Sequence, residues 1–193
     1  MLLVVFALIP AAGARASGDT ATGPASAARR YIEAVLNHDG KSLCPLLDAA
    51  TRRTVDQVIE EAKTDPTFRV PADCAHVTTL LIGYPHENMG YRFTGGKLLS
   101  VGGSRTVTVG AHQYIGIDVR VSLRTEANGS YALVGKPAPS PTLTDTVWLV
   151  RLAHGWRTAK PSLTLLVALN GEILSDDPRQ QTYKRQGVLP PTH

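Results

Sequence analysis

Between residues 28 and 36 the apolar positions Ala28, Tyr31, Ile32, Val35 and Leu36 recur at the spacing of one helix face, which predicts a first helix ending near Asn37. Asp39 and Gly40 read as the turn that follows. A short second helix is expected over residues 42–47. Ser42 offers an N-terminal cap there, and Pro45 falls in the first turn, where its missing N–H costs little. Val55, Val58, Ile59 and Ala62 form the apolar stripe of a third helix, with Arg52, Arg53, Asp56, Glu60 and Glu61 turned to water. Asp73 caps a fourth, in which Cys74, Val77, Thr78 and Leu81 share one face and Gly83 ends the run.

Beyond Tyr91 the apolar period drops from that of a helix to that of a strand, and glycine-bearing turns appear at hairpin intervals. Gly102, Gly103 and Ser104 are read as the turn between strands 97–101 and 105–109. Asn128 and Gly129 separate 113–124 from 131–134, and His154 and Gly155 separate 146–152 from 156–160. Connections this short join antiparallel neighbours. Helices followed by a meander make the expected class α+β. Residues 163–170, opened by Ser162, are read as a short capped helix, with a hairpin arm as the alternative.

Composition changes this picture little. Leu, Ile, Val and Phe supply roughly a quarter of the residues, enough for a core and above the range of disordered chains. The ends add more. Residues 2–9 are continuously apolar and are followed by Ala14, Arg15 and Ala16, which fits a signal peptide over 1–16 with cleavage after Ala16. The run is shorter than the span of about 20 residues a membrane helix needs. No Lys or Arg precedes it, so an uncleaved anchor is the alternative, and membrane attachment is expected only in that case. Residues 17–24 read as a linker, 25–174 as the folded domain and 175–193 as a mobile polar tail.

The formal charge of +4 falls to +3 if Arg15 is cleaved away, and the basic residues are scattered pairs rather than a stripe interleaved with aromatics. Nucleic acid is therefore not an expected partner. Cys44 and Cys74 are the two cysteines of a chain that reads as exported, which points to one disulfide with nothing left over. A loop of about 31 residues closed in this way stabilises by roughly 3–4 kcal/mol in the chain-entropy account. Neither cysteine has a second Cys at metal-ligand spacing, and no P-loop, dinucleotide fingerprint or nucleophile elbow occurs. No cofactor and no metal are expected.

The closing segment Val147 to Pro161 runs through Trp148, Arg151, Gly155, Trp156, Arg157, Ala159 and Lys160, and the opening segment from Ala28 to Arg53 carries an acidic-Gly turn before Cys44 and Leu46. Together they resemble the secreted bacterial members of the nuclear transport factor 2-like superfamily, over roughly residues 25–169. The resemblance implies a cone, with N-terminal helices packed in the concave face of a strongly bent antiparallel sheet and a pocket between them. The turn-rich segment 84–96 departs from the simplest version of that pattern.

Enzymes of that superfamily, such as ketosteroid isomerase, polyketide cyclases and scytalone dehydratase, place an Asp or His base and Tyr or acidic donors inside the cone. A base must lie within hydrogen-bond reach of the proton it takes, with its pKa moved by burial. No motif of theirs can be matched here residue by residue. On the longest strand, Ile115, Ile117, Val119, Val121 and Leu123 share one face, while Tyr114, Asp118, Arg120, Ser122 and Arg124 share the other. If the apolar face meets the helices, the strand gives the cavity no reactive group. If the strand is turned over, Tyr114 and Asp118 project inward as donor and base. Tyr31 on the first helix and His76 beside Cys74 are the other candidates, each with a plainer reading as a core tyrosine and a surface histidine.

The expected function is thus an exported, non-catalytic domain that binds a small apolar ligand or a protein partner. The alternatives are a pocket enzyme of the isomerase, dehydratase or cyclase kind using Asp118, His76, Tyr31 or Tyr114, and an envelope-associated module that forms a homodimer through the sheet face.

Overall fold

Pro24, whose missing N–H is harmless at a first helical position, opens α1 (Pro24–Leu36), which buries Ala27, Ala28, Tyr31, Ile32 and Val35 along one side. The computed structural model describes residues 23–69, 71–84, 91–133, 135, 140–170 and 190–191. The expected signal peptide, most of the linker, residues 85–90 of the turn-rich segment and nearly all of the tail lie outside these. α1 ends in a left-handed residue, but that residue is His38, at φ 55°, rather than a glycine. The His38 N–H donates to the Val35 carbonyl at 3.2 Å and the Asp39 N–H to the Ala34 carbonyl at 2.9 Å, closing the last turn in a Schellman pattern.

Asp39 then caps α2 (Gly40–Leu43), accepting from the Ser42 N–H at 3.1 Å. The predicted cap was Ser42. The helix starts earlier because the Asp39 carboxylate reaches the amide three residues on, and Cys44–Leu46 continues as one 3-10 turn rather than as α-helix. Asp48 caps α3 (Ala49–Thr64) through the Ala50 and Thr51 amides, and Asp73 caps α4 (Cys74–Leu81) through the His76 amide. α2 lies against α4 so closely that a Cβ on Gly40 would collide with the Ala75 carbonyl, and the Gly40 N–H donates to Thr79 Oγ1 at 3.1 Å. At that junction Cys44 and Cys74 are joined in a disulfide, their Cα atoms 6.1 Å apart. The Thr78 hydroxyl lies 3.4 Å from the Cys44 sulfur and 3.8 Å from the Cys74 sulfur.

The sheet has the order β1-β2-β3-β4, antiparallel throughout: β1 (Tyr91–Val109), β2 (His112–Ala127), β3 (Thr142–Leu152) and β4 (Gly155–Thr158). β1 is one strand where the sequence predicted two. Gly102 pairs with Asp118 and Ser104 with Ile117, so Gly103, at φ 41°, is the extra residue of a bulge, not a turn. The chain reverses instead at Gly110 and Ala111, where Gly110 at φ 59° meets the demand of a tight hairpin for a left-handed first residue. Register shifts at Phe93/Gly95, Leu98/Ser100 and Gly102/Ser104 all fall on β1. Bulges kink a strand and increase its twist, and three of them curl this end strand into a bowl.

The second correction is at Asn128. Residues 131–133 of the expected strand 131–134 belong instead to the short helix α5 (Gly129–Leu133), and β3 begins at Thr142. β3 pairs with β2 from Tyr114 to Ser122, several residues short of the end of β2, whereas a tight hairpin at Asn128 would pair the next strand with the last residues of β2. The His154–Gly155 hairpin and the helix α6 (Leu163–Asn170) are as expected.

The fold is α+β, with helices packed in the concave face of a strongly curled antiparallel sheet. The inner face carries Phe93, Ile117, Val119, Val121, Leu123, Val147 and Leu149, which are buried against Tyr31, Ile32, Val35, Leu36, Leu165 and Val167. α6 is apolar around its whole circumference and accordingly sits inside, with Leu163, Leu165, Val167 and Ala168 buried. Among the described residues no helix is long and apolar enough to cross a membrane.

Candidate functional site

β3 brings a carboxylate into the bowl. Asp145 stands opposite Val119 on the inner face, in phase with Leu143, Val147 and Leu149, and is 0% exposed. Oδ1 accepts from the Thr146 amide at 2.7 Å and the Leu163 amide at 3.2 Å. Oδ2 accepts from the Thr164 amide at 2.8 Å and the Thr164 hydroxyl at 2.7 Å. Asp145 thus satisfies the free N–H groups that open α6, helped by Ser162 Oγ, which accepts from the Leu165 amide at 3.1 Å. Burial pushes the Asp145 carboxyl above the usual range, against the pull of these donors.

Tyr31 lies beside this cluster, also fully buried, with its hydroxyl accepting from the Ser162 amide at 3.4 Å. Burial pushes its phenol well above the ordinary value. Burial likewise lowers the Lys160 ammonium, and the Asp145 charge opposes that shift. Among the described residues the core is mainly apolar, and a polar knot sits at the junction of α1, β3 and α6. Both Asp145 oxygens are occupied by protein donors, and no face of the carboxylate is open to solvent.

The four residues picked out from the sequence lie in three different places. Tyr31 alone is inside. Asp118 and Tyr114 are on the convex side, because the apolar face of β2 meets the helices. The Asp118 side chain is 44% exposed, accepts from Thr146 Oγ1 at 2.9 Å and faces the Arg105 guanidinium at 3.6 Å. Tyr114 is buried against that outer layer, its ring 6.2 Å from that of His112. His76 is half-exposed at the start of α4, with Nδ1 2.9 Å from the Asp73 carboxylate. No base and donor from this set share a cavity.

Trp148, from the closing segment, is buried at 1% exposure on the convex side, where it lies across Gly116. A Cβ on Gly116 would come within 2.9 Å of the indole, so the glycine makes room for the ring, and the Arg105 guanidinium covers it at 5.3 Å from the centroid.

Among the described residues three grooves border the helices. A groove of about 660 Å³ runs between α1, the 3-10 turn and the β3–β4 hairpin, with Arg30, Glu33, Asn37, His154 and Trp156 on its walls. A smaller one of about 240 Å³ lies between α3, α4 and α6, walled by Val55, Leu81, Leu165, Leu166 and Leu169 together with Thr51, Thr54 and Thr78. A third, about 350 Å³, lies between His38, Lys41, His76 and Thr79. Among the described residues no group of three His, Cys, Asp or Glu side chains is placed to hold a metal ion.

His38 at that third groove carries a pH dependence. Its ring stacks on Phe93 at 5.2 Å between centroids, and Nε2 is buried without a hydrogen-bond partner among the described residues. Burial, and then the Arg124 guanidinium, lower its pKa from 6.5. The folded state therefore binds this proton less tightly than the unfolded chain. Its contribution to stability is complete above the unfolded value of about 6.5 and is lost as pH falls through the folded value. The melting temperature is expected to drop between about pH 7.5 and 5, and His38→Asn, which tolerates a left-handed backbone and does not titrate, is expected to flatten the drop. An identical slope in the variant would place the acid sensitivity elsewhere.

The residue that sequence reasoning missed is Asp145. The signal was present: an Asp in phase with Leu143, Val147 and Leu149 is a charge on an apolar strand face, which calls for a buried partner. Comparison with family models, with curated proteins and with solved structures finds no match for this chain.

Proposed function

We propose that the chain is an extracytoplasmic, non-catalytic binding domain of the nuclear transport factor 2-like kind, and that its ligand is a small apolar molecule seated between α3, α4 and α6. The observation that carries this reading is the lining of the 240 Å³ groove, where leucine and valine side chains dominate and no charged residue is present. Its volume lies below the roughly 300–1,000 Å³ of common ligand sites, which suits a small ligand. The polar groups inside the bowl support the same reading, because Asp145 and Tyr31 are engaged with the start of α6 and offer a substrate no free acceptor. An isomerase, dehydratase or cyclase built on Asp118 or His76 has less support, since both side chains stand outside the bowl and about half-exposed. The disulfide agrees with a place outside the cytoplasm.

The test is titration with 8-anilinonaphthalene-1-sulfonate together with solvent extraction and mass spectrometry of the purified chain. Saturable, blue-shifted fluorescence is expected, weakened about tenfold by Leu166→Gln, which puts an amide into the groove wall. Fluorescence that never saturates, or saturation untouched by the substitution, would overturn the assignment of the ligand to this groove.

A further inference from the structure

The Cys44–Cys74 bridge is tied on both of its sides to the groove between α3, α4 and α6. Leu47, a wall residue, follows the 3-10 turn that carries Cys44, and its N–H donates to the Cys44 carbonyl at 3.5 Å. Thr78 and Leu81, also wall residues, follow Cys74 along α4 at the spacing of one helix face. Thr78 belongs to the bridge and the groove at once. It is buried at 2% exposure, it lines the groove, and its hydroxyl lies 3.4 Å from the Cys44 sulfur and 3.8 Å from the Cys74 sulfur. The two cysteines differ in access. Cys44 is 8% exposed, whereas Cys74 is only partly buried, so a thiolate from solvent meets Cys74 first.

We propose that this bridge is a redox switch for the groove: the oxidised chain holds the apolar ligand, and reduction by a dithiol releases it. The switch rests on the groove being the ligand site, as proposed above, and adds what regulates it. The chemistry is thiol–disulfide exchange. A thiolate of the reductant bonds to the Cys74 sulfur, the Cys44–Cys74 bond breaks, and Cys44 leaves as a thiolate beside the Thr78 hydroxyl, a donor within reach of it. The second thiolate of the reductant then displaces Cys74. The protein has gained two electrons and two protons, and the dithiol has become a disulfide.

Two thiols do not keep the separation of a bonded pair. The 3-10 turn and the start of α4 therefore move apart, and Leu47 and Thr78 move with the cysteines they are tied to. The junction of α2 and α4 survives, because Gly40 still packs on the Ala75 carbonyl and its N–H still donates to Thr79 Oγ1. The change thus falls on one wall of the groove, and a small shift of a close-packed apolar wall removes contacts that a ligand would make. The coupling is reciprocal: a ligand that prefers the oxidised form resists reduction by the same factor.

The test uses the full chain with 8-anilinonaphthalene-1-sulfonate as the probe, oxidised and after reduction by dithiothreitol, with near-ultraviolet circular dichroism recorded on each. The dissociation constant is expected to rise about tenfold on reduction with the native spectrum kept, and to return on reoxidation. Cys44→Ser combined with Cys74→Ser is expected to bind like the reduced chain in any buffer. In dithiothreitol redox buffers, with thiols counted by alkylation and mass spectrometry, saturating probe is expected to raise the dithiol-to-disulfide ratio at half-reduction about tenfold. Equal affinity in the two redox states, or a half-reduction point indifferent to the probe, would overturn the switch and leave the ligand reading standing. Loss of the native spectrum on reduction would overturn it as well, because the bridge would then hold the whole domain and not one wall. An oxidised chain that never saturates overturns the ligand reading itself, and the switch falls with it.

Discussion

Replacing Asp145 by Ala lowers the unfolding free energy by about 3–5 kcal/mol, as read from urea melts. The reasoning is one of orphaned donors. The Thr146, Leu163 and Thr164 amides and the Thr164 hydroxyl all donate to this carboxylate, and all are buried. Each unsatisfied buried group costs about 1–3 kcal/mol, and partial relaxation keeps the total below the simple sum. Asp145→Asn is expected to cost less, about 2–3 kcal/mol, because one oxygen survives while the new NH2 group must face donors. Thr164→Val removes a single donor to the carboxylate and is expected to lose about 1 kcal/mol. If Asp145→Ala were as stable as the parent, the carboxylate would not be what holds α6 in the bowl.

Loss of the Cys44–Cys74 bridge is the second large effect. The double substitution to Ala is expected to cost about 3–4 kcal/mol, and reduction of the native protein to lower the melting temperature correspondingly. The bridge ties the 3-10 turn to the start of α4, across the junction where α2 and α4 touch at Gly40 and Ala75. Opening it releases a 30-residue separation in the unfolded chain and leaves the Thr78 hydroxyl beside two thiols that no longer hold the helices together. Two thiols reactive after unfolding without reductant would remove the basis of this prediction.

The two effects differ in how visible their causes were. The disulfide followed from counting cysteines in a chain whose residues 2–9 are continuously apolar, since two cysteines leave no choice of partner. The helices were legible because α1, α3 and α4 each bury one stripe, and burial of a stripe writes a helical period into the residues. The inward face of β2 was legible on the same principle, from alternation. Gly102–Gly103 misled because glycine permits both a turn and a bulge, and the choice depends on what pairs across the sheet. Ser104 finds Ile117 in the continuing β1–β2 ladder, so the strand goes on. Asn128–Gly129 misled likewise: those two residues would make a hairpin, but the partner of β3 lies farther back along β2.

The candidate site was less legible than the fold. Asp118, Tyr114 and His76 are candidates by residue type and by their place along the chain, and whether a base and a donor meet depends on separations between elements far apart in the chain. Asp145 and Thr164 show the same limit from the other side, since an amide on α6 meets a carboxylate on β3 only after the sheet has curled around α1.

What the sequence by itself determined is the α+β class, the principal helices and their buried stripes, the inward face of β2 and the pairing of the two cysteines. Each depends on a local period or on a count, which any stretch of chain carries within itself. Only the tertiary structure decided that β1 continues through its glycines, that Asp145 caps α6, and that Asp118 and His76 stand apart from Tyr31. These depend on which distant groups are brought to within hydrogen-bond distance, and that is a property of packing.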